Sequence, residues 1–411
     1  MRFVTHIECT QCGQAHDPDR VATVCGRCGQ MLAVRYDLGG VAAHVTRDRL
    51  RDRAPGMYRF RELLPLLPGE EPVTLGEGGT PLLPLPRLAA HFGLRGLWAK
   101  DEGQNPTGTF KARGLSMAIT RARSLGTTGV MIPSAGNAGG AAAVYAARAG
   151  LRAAVVVPRE TPAAAVAEGL IAGARVFTVE GSIATAGQVV ARSAAALGWF
   201  DLSTLREPYR LEGKNTIGLE LAEQLEWSAP DLLIYPTGGG TGLLGIAKAY
   251  EELRAMGWVQ TPLPRFIAVQ AEGCAPVVRA WLEKAATTTP WEHPVTQAAG
   301  LRVPAPFAGR QILDVLRATS GSAIAVSEAA ISDGQRLLAR LEGVWAAPEA
   351  AAAISALGVL KERGDLSSGA RIVLILTGTG MKSVSPALPS PEELPRSDDA
   401  AVAAMCRALG E

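Results

Sequence analysis

From about residue 76 onward the chain alternates short, uniformly apolar runs with long alanine-rich stretches of helical character. The runs at 129–133, 153–158, 175–179, 232–235, 266–270 and 371–376 are strand-length and carry no polar face. A strand apolar on both sides belongs in a parallel sheet covered by helices. The stretches at 138–149 and 243–254, and one running to residue 172, predict those helices. The pattern predicts an α/β protein, in which ligands gather at the carboxyl ends of the strands. Residues 37–75 read as a connector with a short helix at 47–53 and a proline-rich exit. Past residue 386, a tail punctuated by Pro386, Pro389, Pro391 and Pro395 leads to a terminal helix at 399–409. No internal repeat is evident.

Composition narrows the class. A chain of 411 residues is long for one compact unit, and 47% hydrophobic with 19% charged residues describes a globular protein with ample core. A net charge of +2 gives no reason to expect nucleic acid or an anionic membrane as partner. The most apolar runs are far too short to span a bilayer, and no signal peptide opens the chain. The expectation is a cytoplasmic enzyme. Four of the six cysteines form two pairs, Cys9/Cys12 and Cys25/Cys28, with twelve residues between them. Each pair can turn two thiolates toward one ion, and Gly13, Gly26 and Gly29 permit the tight turns this needs. Residues 1–36 therefore read as a zinc-ribbon-like knuckle holding a structural zinc, the competing readings being a disulfide pair in an exported protein or a remnant that no longer holds metal.

Candidate chemistry starts at Lys111. It opens a helical pattern after the turn-rich Asn105-Pro106-Thr107-Gly108-Thr109-Phe110, where the helix dipole disfavours a cation. Of the 41 basic residues only seven are lysine, so a lysine at so poor an electrostatic site points to a need for a primary amine. Burial beside Phe110 and the helix N-terminus would both acidify that amine, which suits a Schiff-base nucleophile.

Three segments at strand ends add to it. Ser134-Ala135-Gly136-Asn137 opens a helix after the strand at 129–133, and Asn137 offers an amide to a hydroxyl or carboxylate. Gly238-Gly239-Gly240-Thr241-Gly242 follows the strand at 232–235 and opens the next helix, exposing several N–H groups to an anion. It lacks the spacing of a P-loop and of a dinucleotide-binding turn, so the phosphate of a smaller cofactor is the natural ligand. Thr377, at the end of the strand at 371–376, can meet a heteroaromatic nitrogen.

An amine, an amide, a phosphate cradle and a hydroxyl in this order resemble the fold-type-II pyridoxal-phosphate enzymes, and most closely the threonine synthase family. Residues 77–82 (Glu-Gly-Gly-Thr-Pro-Leu), 105–111, 136–137, 237–242 and 376–378 carry the resemblance. It implies two three-layer, parallel-sheet subdomains over 76–385, the smaller at roughly 107–205 inserted in the larger. It implies that Lys111 anchors pyridoxal 5′-phosphate, Asn137 bonds the ring's 3′-oxygen, residues 238–242 hold the phosphate, and Thr377 faces the pyridine nitrogen. The turn of Ser134, Ala135, Gly136 and Asn137 would receive a substrate carboxylate, with Thr80 and Arg113 as further substrate contacts. The substrate would be O-phosphohomoserine, an amino acid whose phosphate needs cations such as Arg113, Lys214 or Arg310. Two positions depart from the family pattern, Ala112 for an acid and Ala135 for a threonine, and both bear on the substrate. The same cofactor also serves threonine/serine dehydratase-type ammonia-lyases and cysteate-synthase-like replacement enzymes. The short stretch after Thr377 leaves no room for the regulatory domain that dehydratases often add. A silent binding protein on this fold is the non-enzymatic alternative, against which the retained Lys111 and glycine loop argue. A homodimer is what the resemblance suggests.

Overall fold

The computed structural model describes residues 2–161, 163–383, 393–394, 396 and 398–409. The two cysteine pairs sit in a small antiparallel sheet of β1 (Val4–Cys9), β2 (Ala15–His16) and β3 (Leu32–Tyr36), ordered β2-β1-β3. Helices α1 (Leu38–His44) and α2 (Arg47–Arg51) lead to the edge hairpin partner β4 (Leu82–Pro84), helix α3 (Pro86–Phe92) and β5 (Gly96–Asp101).

The chain then leaves that sheet and builds a second one. Helix α4 (Lys111–Ser124) precedes β6 (Gly129–Pro133), α5 (Asn137–Ala149), β7 (Arg152–Pro158), α6 (Ala163–Ile171), β8 (Arg175–Val179), α7 (Ile183–Leu197) and β9 (Phe200–Asp201). Their order is β8-β7-β6-β9, all parallel. Helix α8 (Tyr209–Gln224) returns the chain to the larger sheet through β10 (Leu232–Pro236), α9 (Thr241–Ala255), β11 (Arg265–Ala271), α10 (Pro276–Leu282), α11 (Gly309–Ala318), β12 (Ser322–Val326), α12 (Glu328–Glu342), α13 (Pro348–Glu362) and β13 (Arg371–Leu376), before the terminal α14 (Asp398–Leu409). That sheet runs β12-β11-β10-β13-β5-β4 and is parallel except for β4. The six strands read from uniform hydrophobicity are all present; β10 is buried throughout and β13 at every position but its first, as strands covered on both faces are, whereas β8, at the edge of its sheet, is largely exposed. Among the described residues, no helix is long and apolar enough to cross a membrane.

Two packing features position the site. Helices α4, α8 and α9 approach one another closely through glycine. A Cβ on Gly245 would lie 2.7 Å from the Lys214 Cβ, one on Gly218 2.6 Å from the Ala249 Cβ, and one on Gly213 would overlap the Arg113 carbonyl. This contact draws the N-termini of α4 and α9 toward the same space. The ribbon, meanwhile, is built into the body. Leu32, Val34 and Tyr36 of β3 join the apolar cluster around α4 and α5, whereas Met31 and Ala33 join the one around α8 and α9.

Candidate active site

The turn before α4 is stitched to the end of β13. Phe110 N–H donates to the Thr377 carbonyl at 3.0 Å, Thr379 N–H to the Gly108 carbonyl at 3.0 Å, and Thr109 bridges Gly378. Gly108 has φ of 66°, a left-handed conformation that costs glycine little. Lys111 and Thr377, 266 positions apart in sequence, thereby line one cavity of about 500 Å³. Asn137, Gly238, Gly239, Gly240 and Thr241 line it too, along with Tyr235, Arg206, Arg302 and Glu349. It opens into a wider cleft of about 1550 Å³ that adds Ser134, Ala135 and Gly136.

Enclosure by protein pushes the Lys111 amine down to about 7, helped by the nearby charge of Arg210 and opposed by Glu349. Its Nζ lies 4.5 Å from the centre of the Phe110 ring, and Lys214 Nζ lies 4.1 Å from the same ring.

The glycine loop is shaped by contact rather than by flexibility alone. A Cβ on Gly238 would overlap the Gly300 carbonyl, one on Gly242 the Tyr235 hydroxyl, and Gly240 has φ of 77°. Among the described residues the N–H groups of 238–242 meet no acceptor, although all five residues but Gly239 are buried. Buried N–H groups without a protein partner at a helix N-terminus are a cradle for an anion. Gly242 itself does not line the cavity but lies under the Tyr235 ring. The Thr377 side chain forms no hydrogen bond with any described residue.

Several side chains lie elsewhere than the sequence suggested. Ser134 is folded into its own turn, donating to the Gly136 carbonyl at 3.0 Å and accepting from Gly139 N–H at 2.9 Å. Its hydroxyl is occupied; the backbone N–H groups of Ala135, Asn137 and Ala138 meet no described acceptor. Thr80 and Arg113 line neither cavity. Both belong to a buried network in which Arg113 holds Glu102 through Nε at 2.7 Å and Glu220 through Nη1 at 2.7 Å, while the Thr80 hydroxyl donates to Glu102 at 2.7 Å. With every donor engaged, Arg113 has nothing to offer a substrate. Lys214 is fully buried off the cavity wall, and Arg310 is exposed outside it. The cations that do line the cavity are Arg206 and Arg302. Neither they nor Glu349 carries a sequence signal: an acid at the start of a helix after proline reads as ordinary dipole compensation.

The four cysteine sulfurs lie within 4.8 Å of one another. Their measured pairs, 3.4 Å for Cys9–Cys28, 3.7 Å for Cys12–Cys25 and 3.6 Å for Cys12–Cys28, are far too long for disulfides. They are close to the ~3.8 Å edge of a tetrahedron with metal–sulfur bonds of about 2.3 Å. The two knuckles repeat one design: Gly13 N–H donates to the Cys9 carbonyl and Gly29 N–H to the Cys25 carbonyl, with φ of 69° and 71°.

Comparison with known proteins agrees with this geometry. Residues 73–378 match the family model of pyridoxal-phosphate dependent enzymes. The chain is 35% identical over 378 residues to the threonine synthase of Methanosarcina acetivorans, covering 92% of each protein. It is 35% identical over 386 residues to that of Methanocaldococcus jannaschii, covering 94% of this chain and 95% of the relative. Among solved structures, maize serine racemase superposes with a TM-score of 0.64 at 24% identity, over 80% of this chain and 92% of that one, a likeness of fold.

Proposed function

Because the chain belongs to the pyridoxal-phosphate-dependent enzymes, and among them to the threonine synthase family, we propose that it converts O-phosphohomoserine and water to threonine and phosphate. The observation that carries this reading is the meeting, in one cavity, of an acidified lysine and a buried cradle of unpartnered N–H groups. The residues fit pyridoxal phosphate: Lys111 to bond it covalently, residues 238–242 to take its phosphate, Asn137 its 3′-oxygen and Thr377 its ring nitrogen. Bound there, the cofactor supplies an electron sink for the carbons that lose protons. Lys111, whose amine is brought down to about 7, is placed to take those protons and return them. The N–H groups of Ala135, Asn137 and Ala138 offer donors to the substrate carboxylate. Arg302 and Arg206 take the role first given to Arg113, Lys214 and Arg310, offering positive charge to the substrate's phosphate.

The purified protein is expected to release phosphate from O-phosphohomoserine in step with threonine formation. Keto acid from threonine or serine, with no phosphate-dependent threonine, would move the assignment to an ammonia-lyase.

For the ribbon, we propose a structural zinc on Cys9, Cys12, Cys25 and Cys28, whose all-thiolate set leaves no open position for catalysis. Elemental analysis of protein purified without chelator should find close to one zinc per chain. Cys9→Ser should lower both the zinc content and Tm, since Cys9 is buried in the same apolar cluster as Ile7 and Leu32. A metal-free protein of unchanged stability would remove the site.

A further inference from the structure

The inner cavity holding Lys111 is lined by two arginines and a single carboxylate, Glu349; the wider cleft that Lys111 also borders adds Glu160, Glu168 and Glu180, with Glu168 paired to Lys382 at 2.7 Å. Arg210 acts on the Lys111 amine from α8, whereas Lys214 of the same helix, buried with no partner for its Nζ among the described residues, is pushed by burial toward its neutral form. Arg206 and Arg302 approach from loops. Glu102 has its charge committed to Arg113, and Tyr235 on β10 adds a neutral hydroxyl. Glu349 lies in the first turn of α13, and its Oε1 accepts the Gly300 N–H at 2.7 Å, which fixes the side chain. Its second oxygen has no hydrogen-bond partner among the described residues, and Glu349 lines both cavities, each shared with Lys111. The helix is held to the strand end carrying Thr377, because Ala347 N–H donates to the Gly378 carbonyl at 2.9 Å.

We propose that Glu349 is a positioning residue that acts through Lys111, as the one carboxylate of the inner cavity, whose charge lets this amine hold a proton taken from substrate. A lysine that accepts a proton becomes an ammonium ion. Burial and Arg210 oppose that charge, and Glu349 favours it. The pinning by Gly300 ties the carboxylate to the wall of the glycine loop, since the Gly300 carbonyl lies against Gly238. Lysine, countercharge and anion cradle are thus referenced to one another by backbone contacts.

The inference rests on reading Lys111 as the proton carrier, and it is tested apart from the choice of substrate. In the full-length chain freed of cofactor, trace acetylation of Lys111 across pH, read by mass spectrometry, reports the amine's titration directly. Glu349→Gln keeps the acceptor for Gly300 N–H and removes the charge, so the midpoint should fall by about one pH unit or more. Glu349→Asp keeps the charge and should hold the midpoint close to that of the unmodified chain. In the loaded enzyme, Glu349→Gln should lower kcat at least about tenfold, with KM little changed. An unmoved or raised midpoint in Glu349→Gln, or one in Glu349→Asp displaced as far as in Glu349→Gln, overturns the proposal. A lowered midpoint in Glu349→Gln with no phosphate release from O-phosphohomoserine leaves it standing and removes the substrate assignment instead.

Discussion

Lys111→Ala is expected to abolish the absorbance band of lysine-bound cofactor and to lower kcat/KM by at least about 10³-fold, from loss of both the covalent anchor and the proton carrier. Cofactor content should fall far less, because the N–H cradle at 238–242 and the side chains of Asn137 and Thr377 are untouched. Methylamine should restore part of the rate in Lys111→Ala, and borohydride should no longer fix cofactor to the chain. Unimpaired turnover would sink the assignment of Lys111. In the unsubstituted enzyme the step in which Lys111 removes a proton should quicken as pH rises through about 7, the value to which burial and Arg210 push the amine, and level off above it. The sign for stability runs the other way. An amine at 10.5 when unfolded and about 7 when folded must shed a proton on folding, and that cost grows as pH falls from the first value to the second. Lys111→Met should therefore stabilise the cofactor-free chain more at pH 6 than at pH 10, measurable as Tm.

The strands that build the catalytic sheets were legible wherever burial on both faces left only apolar side chains, as in β10, β11 and β13. β5 was not, because its sequence ends in Lys100 and Asp101. Lys100 is tolerated in a buried strand only because Glu220, 120 residues later, meets it at 2.8 Å. The same masking hides α8, where Arg210, Glu212, Lys214 and Glu220 break any hydrophobic stripe, yet nearly the whole helix is buried. Glu212 is bonded by Lys248 at 2.8 Å and by the Tyr36 hydroxyl at 2.8 Å. Partners so distant in sequence leave no local pattern to read.

At the site, residues whose backbone does the work were readable from glycine spacing, and residues chosen for charge were not. Lys111, Asn137, Thr377 and the glycine loop fall together because strand-to-helix junctions of parallel sheets share one edge. Arg113 was misplaced because a guanidinium two residues from the reactive lysine invites a substrate role. On a helix, however, a separation of two points side chains apart by about 200°. Lys111 therefore faces the cavity and Arg113 the interior. Glu349 and Arg302 come from segments that only the fold brings to the cavity.

Arg113→Met is expected to destabilise the protein by about 3–5 kcal/mol, the usual cost of removing one partner from a buried ionic network. The network holds two cations, Lys100 and Arg113, against two carboxylates, Glu102 and Glu220, none more than 3% exposed. Burial, the largest single effect, would raise the Glu102 carboxyl; the charge and hydrogen bonds of Arg113, with the charge of Lys100, together outweigh it, and the net direction is down. Glu220 is lowered in the same way by Arg113 and Lys100. Carboxylates so depressed contribute stability above their unfolded value of 4.5, and this is lost only as pH falls through the folded values. Without Arg113 the burial effect on Glu102 is opposed mainly by the charge of Lys100, its pKa rises, and protonation relieves the strain. The deficit of Arg113→Met should therefore shrink between pH 8 and pH 5 in urea unfolding, and adding Glu102→Gln should recover part of it at pH 8. Cofactor affinity should weaken alongside, because Glu102 and Asn105 of this network, joined at 3.0 Å, hold the base of the turn that delivers Lys111. A deficit below about 1 kcal/mol, or one independent of pH, would show that α4 is held by its apolar contacts with α8 and that these charges are incidental to it.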